Sequence, residues 1–374
     1  MTSDDAPIYL DHNATTYVHE RVRDAMLPWL GAQWGNPSSG HAYGHAAARA
    51  VAQARAQVAT LVGTDPDTIV FTGGGTEADN LAILGPDLAT PRLVVSAVEH
   101  PAVEEPSRLR ARDGVTRDVL AVDARGRVDL DAAAEVLSRP CGLLSVILAQ
   151  NETGVIQPVR ALSDMARAAS PDVLVHTDAA QAVGKIAVDV GALGVDMLTV
   201  VSHKLYGPAG IGALFVREGL TLSPRCHGGG QERGVRPGTE PVALIVGLGA
   251  ACALAASDLA AESARQAELR DRLWAQLSKH PSAVRTGDGA DVLPNTLHVR
   301  FEGHEGAVIL GRAPAVAAST GSACHTDDDA PSGVLGAMGI DARSARGAVR
   351  LSLGRRTRVA DVECAAAALL AALA

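Results

Sequence analysis

Short apolar runs, each ending in polar residues, recur from about residue 68 to residue 216. The runs at 68–71, 93–96, 143–148, 173–176 and 197–201 read as buried strands. They are continuous rather than alternating, which fits strands covered on both faces. Each leads into a polar cluster: Thr72-Gly73-Gly74-Gly75-Thr76-Glu77, Glu99-His100, Gln150-Asn151-Glu152-Thr153-Gly154, Asp178-Ala179-Ala180-Gln181, and Ser202-His203-Lys204. The run 211–216 follows its predecessor closely enough to be an antiparallel neighbour. Helix-length segments separate the rest, so the pattern predicts an α/β fold with a mostly parallel central sheet. In such sheets a ligand sits outside the carboxyl ends of the strands, where these polar clusters fall.

Other periodicities complete the outline. Val51, Ala54, Val58, Leu61 and Val62 recur at helical spacing, and Gly63 stands at a C-cap position. From Pro241 to about Lys279 the chain reads as a long Ala-rich helix. Beyond it, 296–301 and 349–353 alternate like half-exposed strands, 320–332 is a small polar loop, and an Ala-rich helix closes the chain. The opening Ile8-Tyr9-Leu10 is extended and leads into the polar loop Asp11-His12-Asn13-Ala14-Thr15-Thr16. Residues 13–250 are expected to form a large domain. Residues 1–12 and 251–374 are expected to form a smaller α+β domain.

Composition narrows the function classes. The 374 residues are 47% hydrophobic but only 3% aromatic, so the core must be mostly Ala, Val and Leu. A net charge of −9 argues against a nucleic-acid or anionic-membrane partner. The acidic start lacks the pattern of a signal peptide, and no apolar run looks long and uninterrupted enough to span a membrane. Five cysteines, Cys141, Cys226, Cys252, Cys324 and Cys364, are odd in number and form no Cys-x-x-Cys pair. That fits free thiols in a reducing cytoplasm and no structural metal site.

The strand-end residues suggest chemistry. A lysine at a strand mouth, followed by the tight loop Gly207-Pro208-Ala209-Gly210, can form an imine once its amine is deprotonated. An isolated Lys204 would instead read as a solvated loop residue. Gly73-Gly74-Gly75-Thr76 opening a helix is an anion cradle in principle, or simply a turn. Asp178 suits a cationic ring nitrogen or a helix N-cap. His100 suits a flat cofactor or a helix start before Pro101. Gln181 and Asn151 are uncharged groups that can grip an oxygen or satisfy loop backbone, and Arg350 is a carboxylate clamp or a surface arginine. Together they comprise the parts of a pyridoxal phosphate site.

With these residues in place, the chain resembles the cysteine desulfurases of the class V aminotransferase family over nearly its whole length. The motifs include Gly35-Asn36-Pro37-Ser38-Ser39, Phe71 to Glu77, Glu99-His100, Asn151 to Gly154, His176 to Gln181, His203 to Pro208, Gly228 to Arg233, Arg236-Pro237-Gly238-Thr239, Gly321-Ser322-Ala323-Cys324 and Arg350 to Gly354. The resemblance implies a pyridoxal phosphate-dependent transferase fold of the aspartate aminotransferase type. It implies that Lys204 carries the cofactor and then serves as base at the substrate Cα. Asp178 would pair with the ring nitrogen, His100 would stack on the ring, and Gln181 would contact the ring hydroxyl. Gly75, Thr76, Ser202 and His203 would bind the phosphate, joined by Thr239 from a second subunit, so a homodimer is implied. Asn36, Asn151 and Arg350 would serve the substrate, L-cysteine. Cys324 would take the sulfur as a persulfide for an acceptor protein, its thiolate favoured by imidazoles at His100 and His325. Cys324-His325-Thr326-Asp327 and the run from Arg236 to Glu240 look more like selenocysteine lyases, which makes L-selenocysteine the alternative substrate. A plain aminotransferase and a non-catalytic cofactor-binding scaffold are the remaining readings.

Overall fold

The computed structural model describes residues 6–320 and 333–374. The chain opens with β1 (Ile8–Tyr9), α1 (Glu20–Met26) and α2 (Ala42–Val62). Strands and helices then alternate: β2 (Ile69–Thr72), α3 (Gly75–Leu84), β3 (Arg92–Ser96), α4 (Pro101–Arg112), β4 (Thr116–Leu120), α5 (Leu130–Leu137), β5 (Leu143–Ser145), α6 (Val159–Ala169), β6 (Leu174–Asp178), α7 (Val190–Leu193), β7 (Met197–Val201) and β8 (Gly212–Val216). After the long α8 (Val242–Leu277) come β9 (Ala283–Arg285), β10 (Thr296–Phe301), α9 (Gly306–Arg312), β11 (Val316–Ala317), α10 (Gly333–Ala337), α11 (Ala342–Arg346), β12 (Ala348–Ser352) and α12 (Val359–Ala372).

The main sheet has seven strands in the order β2-β8-β7-β6-β5-β3-β4. Only β8 runs against its neighbours, β7 and β2. The expected antiparallel neighbour is therefore present, and the carboxyl ends of the other six strands share one edge. β2, β3, β5, β6 and β7 are buried along their whole length, which explains their unbroken apolar runs. β4, an edge strand carrying Arg117 and Asp118, lacks that signature and was not expected from the pattern. β5 stops at Ser145, three residues short of the predicted run.

A second core forms around the sheet β12-β10-β9, with Leu10, Leu269, Leu273, Leu277, Val299, Phe301, Leu351 and Leu369. β1 pairs with β11, so the first residues do join this second core. Half-exposed strands were expected at β10 and β12, yet β12 is fully buried and β10 is buried except at Arg300. One face carries the apolar core. The other carries Thr296, His298, Arg350 and Ser352; Thr296 and Ser352 bond to Asn13, and Arg350 lines the cleft below.

α8 joins the two cores: Ile245, Leu248 and Cys252 lie in the first, and Leu269, Leu273 and Leu277 in the second. By length and apolarity this helix could cross a membrane, contrary to the sequence expectation. The same test is passed by a core helix, and these buried residues place α8 between the cores.

Candidate active site

A cavity of about 440 Å³ opens at the carboxyl ends of the main strands. The sequence-predicted Gly75, Thr76, His100, Asn151, Asp178, Gln181, His203, Lys204 and Arg350 all line it. They come from several separate segments of the chain, which is why no single motif could disclose the site.

Lys204 follows β7 in a short turn, and Tyr206 just beyond it adopts a left-handed backbone (φ 68°). The Lys204 Nζ donates to the carbonyls of Asn13 (2.6 Å) and Ala14 (2.7 Å). Burial, then the charge of Arg350, lower its pKa to about 8. A usable fraction of unprotonated amine therefore exists near neutrality. Asp178 ends β6, and its Oδ1 accepts from Ala180 N–H at 2.9 Å. Burial raises its pKa, opposed by that hydrogen bond and by His100 and Lys204. His100 caps α4, its Nδ1 accepting from Ala102 N–H at 3.1 Å. Burial lowers its pKa, which keeps the ring neutral with its proton on Nε2. His100 caps α4 while lining the cavity, but no helix starts at Asp178: its carboxylate closes a turn onto Ala180, and the helix N-cap reading does not hold.

Beside the cavity, the N-terminus of α3 is open, with no side chain capping it at Gly74. A Cβ on Gly75 would meet Val201 Cγ2 at 2.7 Å, so only glycine lets α3 start this close to β7. Gly73, Gly74, Gly75, Thr76 and His203 line an adjoining hollow of about 590 Å³. Glu77 accepts from Gly73 N–H and pairs with Arg236 at 2.8 Å. The Ser202 hydroxyl is buried without a partner among the described residues, and Ser202 does not line either hollow. Asn36 and Thr239 are exposed and lie outside both; Asn36 Oδ1 accepts from Ser38 N–H. Cys324 and His325 fall outside the described residues.

The opposite wall is β12. Arg350 is buried, its Nη2 paired with Asp11 Oδ1 (2.6 Å) and its Nη1 donating to Asn151 O (3.1 Å). Its Nε has no partner among the described residues.

Several residues escaped the sequence reading. Asn13 is a hub: its carbonyl accepts from Lys204 and Gln181, and its side chain meets Thr296, Asn295 and Lys185. Asp79 lines the cavity and accepts from Thr199 Oγ1 at 2.7 Å; burial and Asp178 hold its pKa well up. Glu99 accepts from Ile147 N–H, and burial pushes its pKa to about 8. Lys185, a lone charge in Ala182-Val183-Gly184-Lys185-Ile186, was the one with a visible signal.

A comparison with protein families matches residues 8–364 to the class V aminotransferases. The chain is 45% identical to a cysteine desulfurase of Bradyrhizobium diazoefficiens over 99% of its own length and 95% of the relative's. It is 41% identical to the cysteine desulfurase NifS of Azotobacter vinelandii, covering 96% and 90%. The chain belongs to the class V aminotransferase family, among its cysteine desulfurases. A solved NifS-like protein superposes with a TM-score of 0.90 at 31% identity, covering 98% of this chain and 99% of that one. The fold is therefore the pyridoxal phosphate-dependent transferase fold expected from the motifs. These relatives do not favour the selenocysteine lyase alternative.

The family's cofactor is pyridoxal 5'-phosphate, and the site fits it. The open α3 N-terminus suits a phosphate, the buried Asp178 lacks the cation that a protonated ring nitrogen would supply, and Lys204 carries a reactive amine.

Proposed function

We propose that this cysteine desulfurase converts L-cysteine to L-alanine and passes the sulfur to Cys324 as a persulfide, for delivery to an acceptor protein. The observation that carries the assignment of roles is the convergence of Lys204, Asp178, His100 and Arg350 on one cavity. Pyridoxal phosphate, when bound, supplies an electron sink for the pair left when the substrate Cα loses its proton. Lys204 would hold the cofactor through its amine, and that amine, when free and unprotonated, would take the Cα proton. Asp178 keeps the ring nitrogen protonated by charge pairing in a desolvated site. His100, neutral and fixed through Nδ1, lies against the ring. Gln181 donates to the ring oxygen. The α3 N-terminus with Gly75, Thr76 and His203 holds the phosphate, supported by the buried Ser202 behind it. Arg350 and Asn151 hold the substrate carboxylate, while Asn36 stays outside both hollows.

The sulfur step balances without an added oxidant. The Cys324 thiolate forms a bond to the substrate sulfur as the Cβ–S bond breaks. Cβ is reduced and receives a proton, and the two sulfurs share the corresponding oxidation as a persulfide.

A homodimer accounts for an uncovered apolar surface. Trp34 and Tyr43 stack at 5.2 Å while largely exposed, beside exposed Leu27 and Leu30. A hollow of about 400 Å³ separates this group from the start of α8. Only 44% of the most apolar window of α8 is buried within one chain, which leaves area for a second copy. Thr239 lies on the nearby loop and would complete the partner's phosphate site. The division into a large domain of residues 13–250 and a small one of residues 1–12 and 251–374 follows the two cores, with α8 spanning the boundary. Four described cysteines are free, in keeping with a cytoplasmic location.

The test is alanine release from L-cysteine by pyridoxal phosphate-loaded wild type and Cys324→Ala, with L-selenocysteine alongside. Wild type should turn over L-cysteine and Cys324→Ala should fall to background. Equal rates in the two proteins would remove Cys324 from the mechanism. Turnover of L-selenocysteine alone would restore the lyase alternative.

A further inference from the structure

Lys185 is a buried amine that the reaction does not use. It is 8% exposed, and its Nζ donates to Gln181 Oε1 at 2.6 Å and Asn13 Oδ1 at 3.3 Å. Among the described residues it has no carboxylate partner. Burial, with Lys204 and Arg350 nearby, holds its pKa well below the usual lysine range. A buried amine with amide partners alone is costly, and an apolar side chain of the same length would fill the space more cheaply. Stability therefore does not explain it.

What Lys185 determines is the direction of one amide. Gln181 is 3% exposed and lines the cavity. Its Nε2 donates to the Asn13 carbonyl at 2.9 Å, a group that can only accept. Its Oε1 is then committed to Lys185. Asn13 is fixed in the same way: its Nδ2 donates to Thr296 Oγ1 and Asn151 O, so its Oδ1 must face Lys185 and Asn295. With Oε1 held by Lys185 and one N–H spent on the Asn13 carbonyl, the second N–H of Gln181 is the donor left over, and it can meet an acceptor oxygen in the cavity.

We propose that Lys185 is a positioning residue: it anchors the Gln181 carbonyl, leaves the second Gln181 N–H as the donor for the cavity, and thereby favours the deprotonated ring oxygen of bound pyridoxal phosphate. This rests on the placement of Gln181 at that ring oxygen.

The test uses the full-length protein loaded with pyridoxal phosphate, read by cofactor dissociation constant and by the visible absorption of the bound cofactor. Lys185→Met should weaken cofactor binding about tenfold, the scale of a hydrogen bond to a charged group. It should also shift the absorption toward the form with a protonated ring oxygen. In a Gln181→Ala background Lys185→Met should change neither quantity further. Gln181→Glu keeps Lys185 and gives it a carboxylate partner but cannot donate, so it should shift the absorption in the same direction. Should Lys185→Met fail to fold, Lys185→Gln, which keeps a polar group there without an obligate donor, takes its place with the same expectation. An altered band in Gln181→Ala with wild-type behaviour in Lys185→Met and Gln181→Glu overturns the proposal. A wild-type band in Gln181→Ala overturns the placement of Gln181 and the proposal with it. Equal effects of Lys185→Met in both backgrounds mean that Lys185 does not act through Gln181.

Discussion

The two walls of the cavity are built on opposite principles. On the main-sheet wall, Lys204 and Asp178 have no opposite charge in direct contact among the described residues. The Lys204 amine meets only carbonyls, and the Asp178 carboxylate receives a backbone N–H. On the β12 wall, Arg350 already has its carboxylate in Asp11. A bound cofactor therefore supplies what the first wall is missing, at little reorganisation. A substrate carboxylate at the second wall must compete with Asp11 or use the open Nε of Arg350. Cofactor affinity is thus set by burial and preorganisation, and substrate affinity by exchange of an ion-pair partner.

Arg350→Leu should break the second wall most severely. The KM for L-cysteine should rise about 30-fold, from loss of a charge-assisted bond worth roughly 2 kcal/mol, with a smaller change in kcat. The first wall should respond as well, because Arg350 is the second-largest cause of the lowered Lys204 pKa. Only the unprotonated amine attaches pyridoxal phosphate. In wild type the attachment rate should rise with pH and level off above about 8. Without the Arg350 charge the protonated form is favoured and the inflection moves to higher pH. Steady-state alanine formation and spectrophotometric cofactor uptake across pH measure the two effects. An unchanged KM would make Arg350 a structural residue.

The opposite substitution sharpens the contrast. Asp11→Asn frees Arg350, so the KM should fall about threefold, as expected for a partly exposed ion pair worth less than 1 kcal/mol. Asp11 also raises the Lys204 pKa, so the cofactor-uptake inflection should move down. Both signs are the reverse of those for Arg350→Leu. A rise in KM would mean that Asp11 aims the guanidinium instead of competing for it.

The first wall was largely legible because its strands are buried on both faces and end abruptly in polar residues, so pattern alone placed Asp178 and Lys204. The second wall was less so. β10 and β12 alternate in sequence, and alternation ordinarily means that one face meets water. Here that face is covered by polar contacts such as Asn13 to Thr296 and Asn13 to Ser352, which no periodicity reports. The pairing of Asp11 with Arg350 joins residues more than 300 positions apart. Asn13 was read as part of a loop because a hub of amide contacts has no spacing signature. Cys324 was named from its motif alone and lies outside the described residues.

Two buried histidines carry the comparison into stability. His176 lies in the main sheet, with Ser145 Oγ at 2.9 Å and Thr199 Oγ1 at 3.2 Å from its ring nitrogens. His298 lies in β10 opposite Arg350, with neither nitrogen partnered among the described residues. Burial lowers both to about 3, joined at His298 by Arg350 and then Arg300. A folded pKa below the unfolded value of about 6.5 means that the unfolded chain binds more protons between these values. Stability is then complete above about 6.5 and is lost as pH falls toward 3. Replacing His176 with Leu should cost stability at every pH, since the buried Ser145 hydroxyl loses its partner. Replacing His298 with Leu breaks no hydrogen bond among the described residues. It should leave the urea midpoint nearly unchanged at pH 7.5 and gain about 1–2 kcal/mol over wild type at pH 5. A His298→Leu effect that is the same at both pH values would mean that the imidazole is not kept neutral beside Arg350.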